Sequence, residues 1–383
     1  MTTEAFTPIN FLLKISPDLL IQYAKHEGIT FQTKIKEAGE ELVEEFLAVL
    51  EKESEEKREL FWLGSYQIDE IGTGNGCDYL LNRITEQGYS FDRNLFQNLK
   101  NSKERALYFY LNFYELFTET CDEYNIDNMQ GWRGEKTVSK NCDEIIKNIF
   151  ELEQGLKEIY KKEFKGNNLK VKYIRKEDRI IFIGFVEDSL TNDIAFKKGT
   201  LSNRIPRKPV FAVYYLYRPK EGILEVKAKG GKRKVKHLQE AFIRCLLKEE
   251  ANIIENVRYN FDLVQNIGEL EFPVARTDLV ESVVLRGLRL VHNSSKTRLS
   301  IDVGNVSSTG AKPMIETLKR MNLDLNDYRV TQFKLEIIFD NIGKGQRPKV
   351  TATMSYPNIC NLKEREIDIK VRQLLKKWNL DLF

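Results

Sequence analysis

Apolar residues recur with a helical period as far as Tyr160, and from Leu169 onward they alternate with polar ones in the manner of strands. Residues 33–60 place Ile35, Leu42, Phe46, Leu47 and Leu50 near the i, i+3, i+4, i+7 spacing with glutamates on the other face, which predicts an amphipathic helix. Residues 102–120 carry aromatics at 108, 109, 110, 113, 114 and 117, too many for one face, and predict a buried helix. A further amphipathic helix is predicted over 142–160. Lys165-Gly166-Asn167-Asn168 is rich in turn formers and predicts the end of a helical domain covering 1–165.

The alternating part reads as a series of hairpins with helices between them. Residues 169–174 and 180–186 flank a Lys176-Glu177-Asp178 turn, and 210–217 and 222–228 flank Arg218-Pro219-Lys220-Glu221. A helix is predicted over 233–247, with Val235, Leu238, Phe242, Cys245 and Leu246 on one face. The pattern returns as strands 283–291 and 297–303, a helix over 312–322 opened by Pro313, and strands 328–339 and 349–356 around a turn at 341–345. Strands joined by short turns are antiparallel. The predicted fold class is therefore α+β: an N-terminal helical domain, then antiparallel β-hairpins with packed helices over 166–383, in one or two sheets with the helices on one face. Two hairpin-and-helix subdomains, 166–270 and 271–383, are an alternative division of that half.

Composition narrows the class. The 383 residues are 42% hydrophobic and 31% charged with nine prolines, as in globular proteins. No run approaches the roughly 18 apolar residues of a membrane helix, and Lys14, Ser16 and Pro17 interrupt the first apolar stretch too early for a signal peptide, so a cytoplasmic chain without membrane partners is expected. The five cysteines are scattered and the three histidines isolated, which argues against a zinc site or a histidine-based triad. No cofactor or metal is expected.

Charge is distributed unevenly. Residues 1–150 hold 16 Lys and Arg against 27 Asp and Glu, whereas 151–383 hold 44 against 30. An acidic front and a basic back point to an anionic partner for the back, nucleic acid (DNA or RNA) first, or to attraction between the halves.

The densest candidate chemistry lies in GILEVKAKGGKRKVKHLQEA, residues 222–241. Gly230 and Gly231 would let the backbone approach an anion closely, and Lys232, Arg233, Lys234 and Lys236 would surround the first turn of a helix, whose free N–H groups favour negative charge. Lys227 and Lys229 share one strand face by the period of two and would extend this phosphate-binding patch along the sheet. The plain alternative is a Gly-Gly turn joining strand to helix, with solvated lysines. Glu225 and Lys227 also form the Glu-x-Lys of a metal-dependent nuclease, but the preceding strand, PVFAVYYLYR, lacks the second carboxylate such a site needs.

The run LEVKAKGGKRKVKHLQEAF and the closing SYPNICNLKEREIDIKVRQLLKKWNL resemble an uncharacterised family of bacterial proteins with a strand, a Gly-Gly-Lys turn, a helix, and a Pro-Asn-x-Cys-Asn-Leu-Lys ending followed by tryptophan. The resemblance extends loosely over most of the chain, including SPDLLIQYAKHEGI. It implies a link to mobile or antiphage-defence islands and supplies no catalytic residues.

Two further motifs have structural explanations. In YPNICNLK, Pro357 would break the last strand while Asn358 and Asn361 make local turn bonds, with base or peptide reading by the two amides as the functional alternative. IGTGNGCD lacks the lysine and hydroxyl of a P-loop and reads as an interhelical loop. The sequence thus predicts a non-catalytic bacterial binding or accessory subunit that contacts nucleic acid through its basic half and also has a protein partner. A metal-dependent nuclease using Glu225 and Lys227, and a purely protein-binding subunit, are the alternatives.

Overall fold

The change from helical to alternating periodicity is present, but the boundary between compact units falls earlier than the turn at 165–168. In a computed structural model, which describes residues 7–197, 200–251, 257–304, 308–340 and 348–383, the units are Met1–Asn128 and Met129–Phe383. The correction sharpens the charge contrast: 12 basic residues stand against 24 acidic ones in the first unit, and 48 against 33 in the second.

The first unit is helical among its described residues. It contains α1 (Pro8–Leu12), α2 (Pro17–His26), α3 (Glu40–Leu50), α4 (Glu55–Ile71), α5 (Gly74–Glu86), α6 (Arg93–Asn98), α7 (Ser102–Asn112) and α8 (Tyr114–Asp127). Two helices expected to be continuous are each broken. The polar run after Leu50 ends α3, and Ser54 caps α4 by accepting from Lys57 N. Phe113 leaves helical geometry between α7 and α8, which lets Phe109 and Phe117, as well as Tyr110, enter one core. Tyr23 crosses this core and donates to Phe61 O at 2.7 Å. Gly64 makes room for it, since a Cβ there would lie 2.6 Å from the Tyr23 hydroxyl. IGTGNGCD supplies the end of α4 and the start of α5, where Thr73 accepts from Gly76 N.

The second unit is built on a ten-stranded antiparallel sheet. Its strands are β1 (Trp132–Lys136), β2 (Leu169–Arg175), β3 (Ile180–Glu187), β6 (Val210–Arg218), β7 (Ile223–Lys227), β8 (Val280–His292), β9 (Arg298–Asp302), β10 (Tyr328–Phe339), β11 (Lys349–Ser355) and β12 (Ile359–Cys360). β4 (Thr191–Lys197) and β5 (Thr200–Arg207) form a separate two-stranded hairpin that the alternation pattern did not reveal. The spatial order is β2-β3-β6-β7-β1-β12-β11-β10-β8-β9. All the hairpins expected from alternation are present, although the 341–345 turn lies outside the described residues. What joins them is β1, which pairs with β7 on one side and β12 on the other. The two hairpin sets are therefore halves of one sheet.

The expected single helical face is also corrected, because helices cover opposite faces of the two halves. Register puts Leu224 and Val226 of β7 on the same face as Arg133 and Glu135 of β1, and there they pack beneath α10 (Ile149–Lys161) and α11 (Gly231–Phe242). α9 (Cys142–Lys147) precedes α10 after a break at Asn148, where one helix had been expected. Cys360 and Met354 point to the other face and pack with α14 (Glu366–Lys377), together with α12 (Phe261–Gln265) and α13 (Lys312–Arg320). The α11 side of strands β8 to β11 is left polar. Ser300, Arg289, Gln332 and Ser355 are opposite one another in one row, and Asp302, Gly287, Lys334 and Thr353 in the next. A sheet with one face buried and the other solvated shows this alternation. Among the described residues, no helix is long and apolar enough to cross a membrane.

Candidate nucleic-acid interface

The Gly-Gly turn leads straight from β7 into α11. Gly230 and Gly231 have φ of 111° and 72°, a region that side chains resist, so glycine is required for so abrupt a turn. A Cβ on Gly230 would also come within 3.0 Å of the Lys234 side chain. Val235, Leu238 and Phe242 seat α11 on the sheet, and the helix ends in a π turn, Ile243–Leu247, that buries Cys245, Leu246 and Leu247.

The six cations singled out from the sequence do not all share one surface. Lys232, Arg233 and Lys236 are on α11 and line a cleft of about 360 Å³ with Arg133, Gln239, Asn358 and the buried carboxylate Glu135. Lys229 is exposed beside the turn. Lys234 is turned the other way: its ammonium lies 2.6 Å from Glu163 and 3.9 Å from the centre of the Tyr160 ring, which pins α11 to the end of α10. Lys227 leaves the patch altogether. By register it sits on the sheet face opposite α11, where Nζ donates to Gln130 O at 2.5 Å and burial lowers its pKa. The expectation that Lys227 extends the patch fails because α11 lies on the face that alternate residues 224 and 226 share.

On its other side α11 borders a second groove, of about 1010 Å³, shared with α10. Lys161, Lys162, Arg233, Lys234, His237 and Arg244 line it together with Glu158, Glu163 and Glu240. Its three carboxylates suit an anion less well than the first cleft, where four cations accompany one carboxylate.

Glu225 occupies a different setting from a metal ligand. It is buried on the α14 face, where its carboxylate accepts from Arg218 Nη1, Arg258 Nη1 at 2.7 Å and Arg372 Nη1 at 3.4 Å. Glu364 accepts from Arg218 at 2.6 Å and Arg372 at 3.2 Å, and Asp381 holds Arg258 at 2.9 Å. Burial alone would raise the Glu225 pKa, but Arg372, Arg218 and Arg258 hold it well below the usual carboxylate range. A carboxylate enclosed by three guanidiniums joins β6, β7, α14 and the C-terminal segment. Among the described residues, no group of three or more His, Cys, Asp or Glu is placed to hold a metal ion.

The asparagines of YPNICNLK bind this chain's own backbone. Asn358 Nδ2 donates to Gly134 O at 2.7 Å, which ties the turn after β11 to β1. Asn361 accepts from Thr353 N at 2.7 Å and donates to Thr351 O at 2.9 Å, so its side-chain amide extends the ladder where β12 stops. Trp378 is buried and donates to Pro273 O at 2.9 Å, in keeping with an anchor for the last helix.

Reasoning from the sequence missed the arginines of the open face. Arg289 and Arg298 lie on β8 and β9 on the α11 side, both exposed. The signal for them was the alternation in RGLRLV and RLSID, which places each arginine opposite the buried leucines and isoleucine. No family model matches the chain, and no match is found among curated proteins.

Proposed function

We propose that the second unit is a non-catalytic nucleic-acid-binding module, an accessory subunit rather than an enzyme, that takes phosphate groups on the exposed edge of α11. The observation that carries this reading is the trio Lys232, Arg233 and Lys236, placed together along a cleft at the start of a helix that follows a glycine-dependent turn. The unit's excess of basic residues would add long-range attraction for a polyanion. The ion pairs around Glu225 argue for a structural role there and give the nuclease alternative no support. The resemblance to a bacterial family linked with defence islands is consistent with a subunit that works beside a catalytic partner.

The test is binding by the full chain after Lys232, Arg233 and Lys236 are changed together to Ala. Affinity for unrelated duplex sequences should fall by a similar factor for each, because phosphate contacts do not read bases. A folded variant that binds all of them as the parent does would remove α11 from the binding surface.

A further inference from the structure

The polar side of β8 to β11 lies across the sheet from α11, on the same face, and the two share a floor. Five strand steps separate β1, at the foot of α11, from β9, and at about 4.8 Å each they make a width of roughly 24 Å. By register this face carries Arg289, Arg298, Arg329, Lys334 and Lys349 together with Asp302 and Glu336, and Arg286 joins them through Glu336. The carboxylates are already engaged: Glu336 with Arg286 and Lys349, each at 2.5 Å, and Asp302 with Lys334 at 2.6 Å. Arg289 and Arg298 are left over, exposed and diagonally adjacent at the far margin. Cations therefore stand at two margins, α11 and the β8–β9 edge, with a neutralised floor of Gln332, Thr353 and Ser355 between them.

We infer that this face is a docking surface for double-stranded nucleic acid, with α11 on one phosphate row and the Arg289–Arg298 margin on the other. This rests on the reading of α11 as a phosphate contact and adds the form of the ligand. Two separated cationic margins suit the two phosphate backbones of a duplex laid on the face between them. Single-strand binding relies on aromatic platforms for base stacking, whereas none of the paired positions on this face of β8 to β11 carries an aromatic side chain. Charge complementarity commits the surface to a polyanion, and polar side chains projecting from sheet strands recognise shape and backbone rather than base edges.

The experiment replaces Arg289 and Arg298 together with Glu in the full chain and measures binding to a short duplex and to one of its strands. Circular dichroism checks the fold, and an Arg289→Gln, Arg298→Gln pair serves if the charge reversal misfolds. The parent should prefer the duplex, and the Glu pair should lower duplex affinity by roughly tenfold or more near 0.1 M salt, since each phosphate contact releases counterions. Unchanged duplex affinity in the folded Glu pair, with weakened binding in the α11 triple variant, would overturn the sheet-face inference and leave the α11 reading intact. Unchanged binding in both would overturn both. A parent that prefers the single strand, or an acidic polypeptide over the duplex, would overturn the choice of duplex.

Discussion

On the α14 face of the sheet, Arg218, Arg258 and Arg372 are buried and each meets at least one of the carboxylates Glu225, Glu364 and Asp381. On the opposite face, Arg289 and Arg298 are exposed, and the carboxylates nearby are engaged by other cations. The same side chain thus does two jobs on the two faces of one sheet. Inside, a guanidinium is tolerated only when its charge is compensated, and removing one member strands the others in a medium of low dielectric constant. Outside, water screens the charge, so an arginine contributes little to stability and remains available to a partner. The location of the compensating carboxylates, rather than the number of cations, separates framework from binding surface.

The largest expected effect comes from cutting through the element that carries both faces. A fragment starting at Met129 should fold, whereas one starting at residue 166 lacks β1, which joins the two halves of the sheet, and lacks α10 packed against it. Unfolding curves and limited proteolysis of the two fragments check this. A stable, cooperatively unfolding 166–383 fragment would mean that the halves are independent and that the two faces belong to separate domains.

Next is the buried network itself. Glu225→Ala should cost about 3–5 kcal/mol in denaturant unfolding because it leaves buried guanidiniums uncompensated. Wild-type stability in that variant would break the contrast between the faces. Acidity should act through the same group. The folded-state pKa of Glu225 lies below the ordinary value of 4.5, so its contribution is fully present above that pH and is lost as the pH falls through the folded value. Glu225→Gln should flatten this acid-side loss relative to the parent. Equal slopes in the two proteins would place the acid sensitivity elsewhere.

A smaller effect is expected at the seam between the faces. Asn361→Ala removes the side-chain amide that accepts from Thr353 N and donates to Thr351 O, and should cost about 1–2 kcal/mol. A change below the error of the unfolding curve would show that water replaces the amide at that edge.

Much of the sheet was legible because its hairpins are local: alternation and turn residues sit within a few positions of one another, as in β2 with β3 and β6 with β7. β1 was not, because Trp-Arg-Gly-Glu-Lys is short and polar and becomes a strand only through partners supplied far along the chain. The strong turn signal at 165–168 then drew the boundary to the wrong side of α10. The Gly-Gly turn and the basic start of α11 were legible from composition, since both are contiguous. The fate of Lys227 and Lys234 was not, because it depends on which sheet face the helix covers and on Glu163 and Tyr160. The network around Glu225 was hidden for the same reason, its arginines lying at 218, 258 and 372.

The salt dependence of binding tests the account most directly. Binding of a duplex to the parent and to the Lys232→Ala, Arg233→Ala, Lys236→Ala variant should be followed over a range of salt concentrations, with unfolding curves alongside. Exposed substitutions of this kind usually cost under about half a kcal/mol each, so the variant should remain folded. The account predicts a slope of log K against log salt that is shallower by roughly 0.9 for each phosphate the variant no longer neutralises. A folded variant with the parent's affinity and the parent's slope would contradict it.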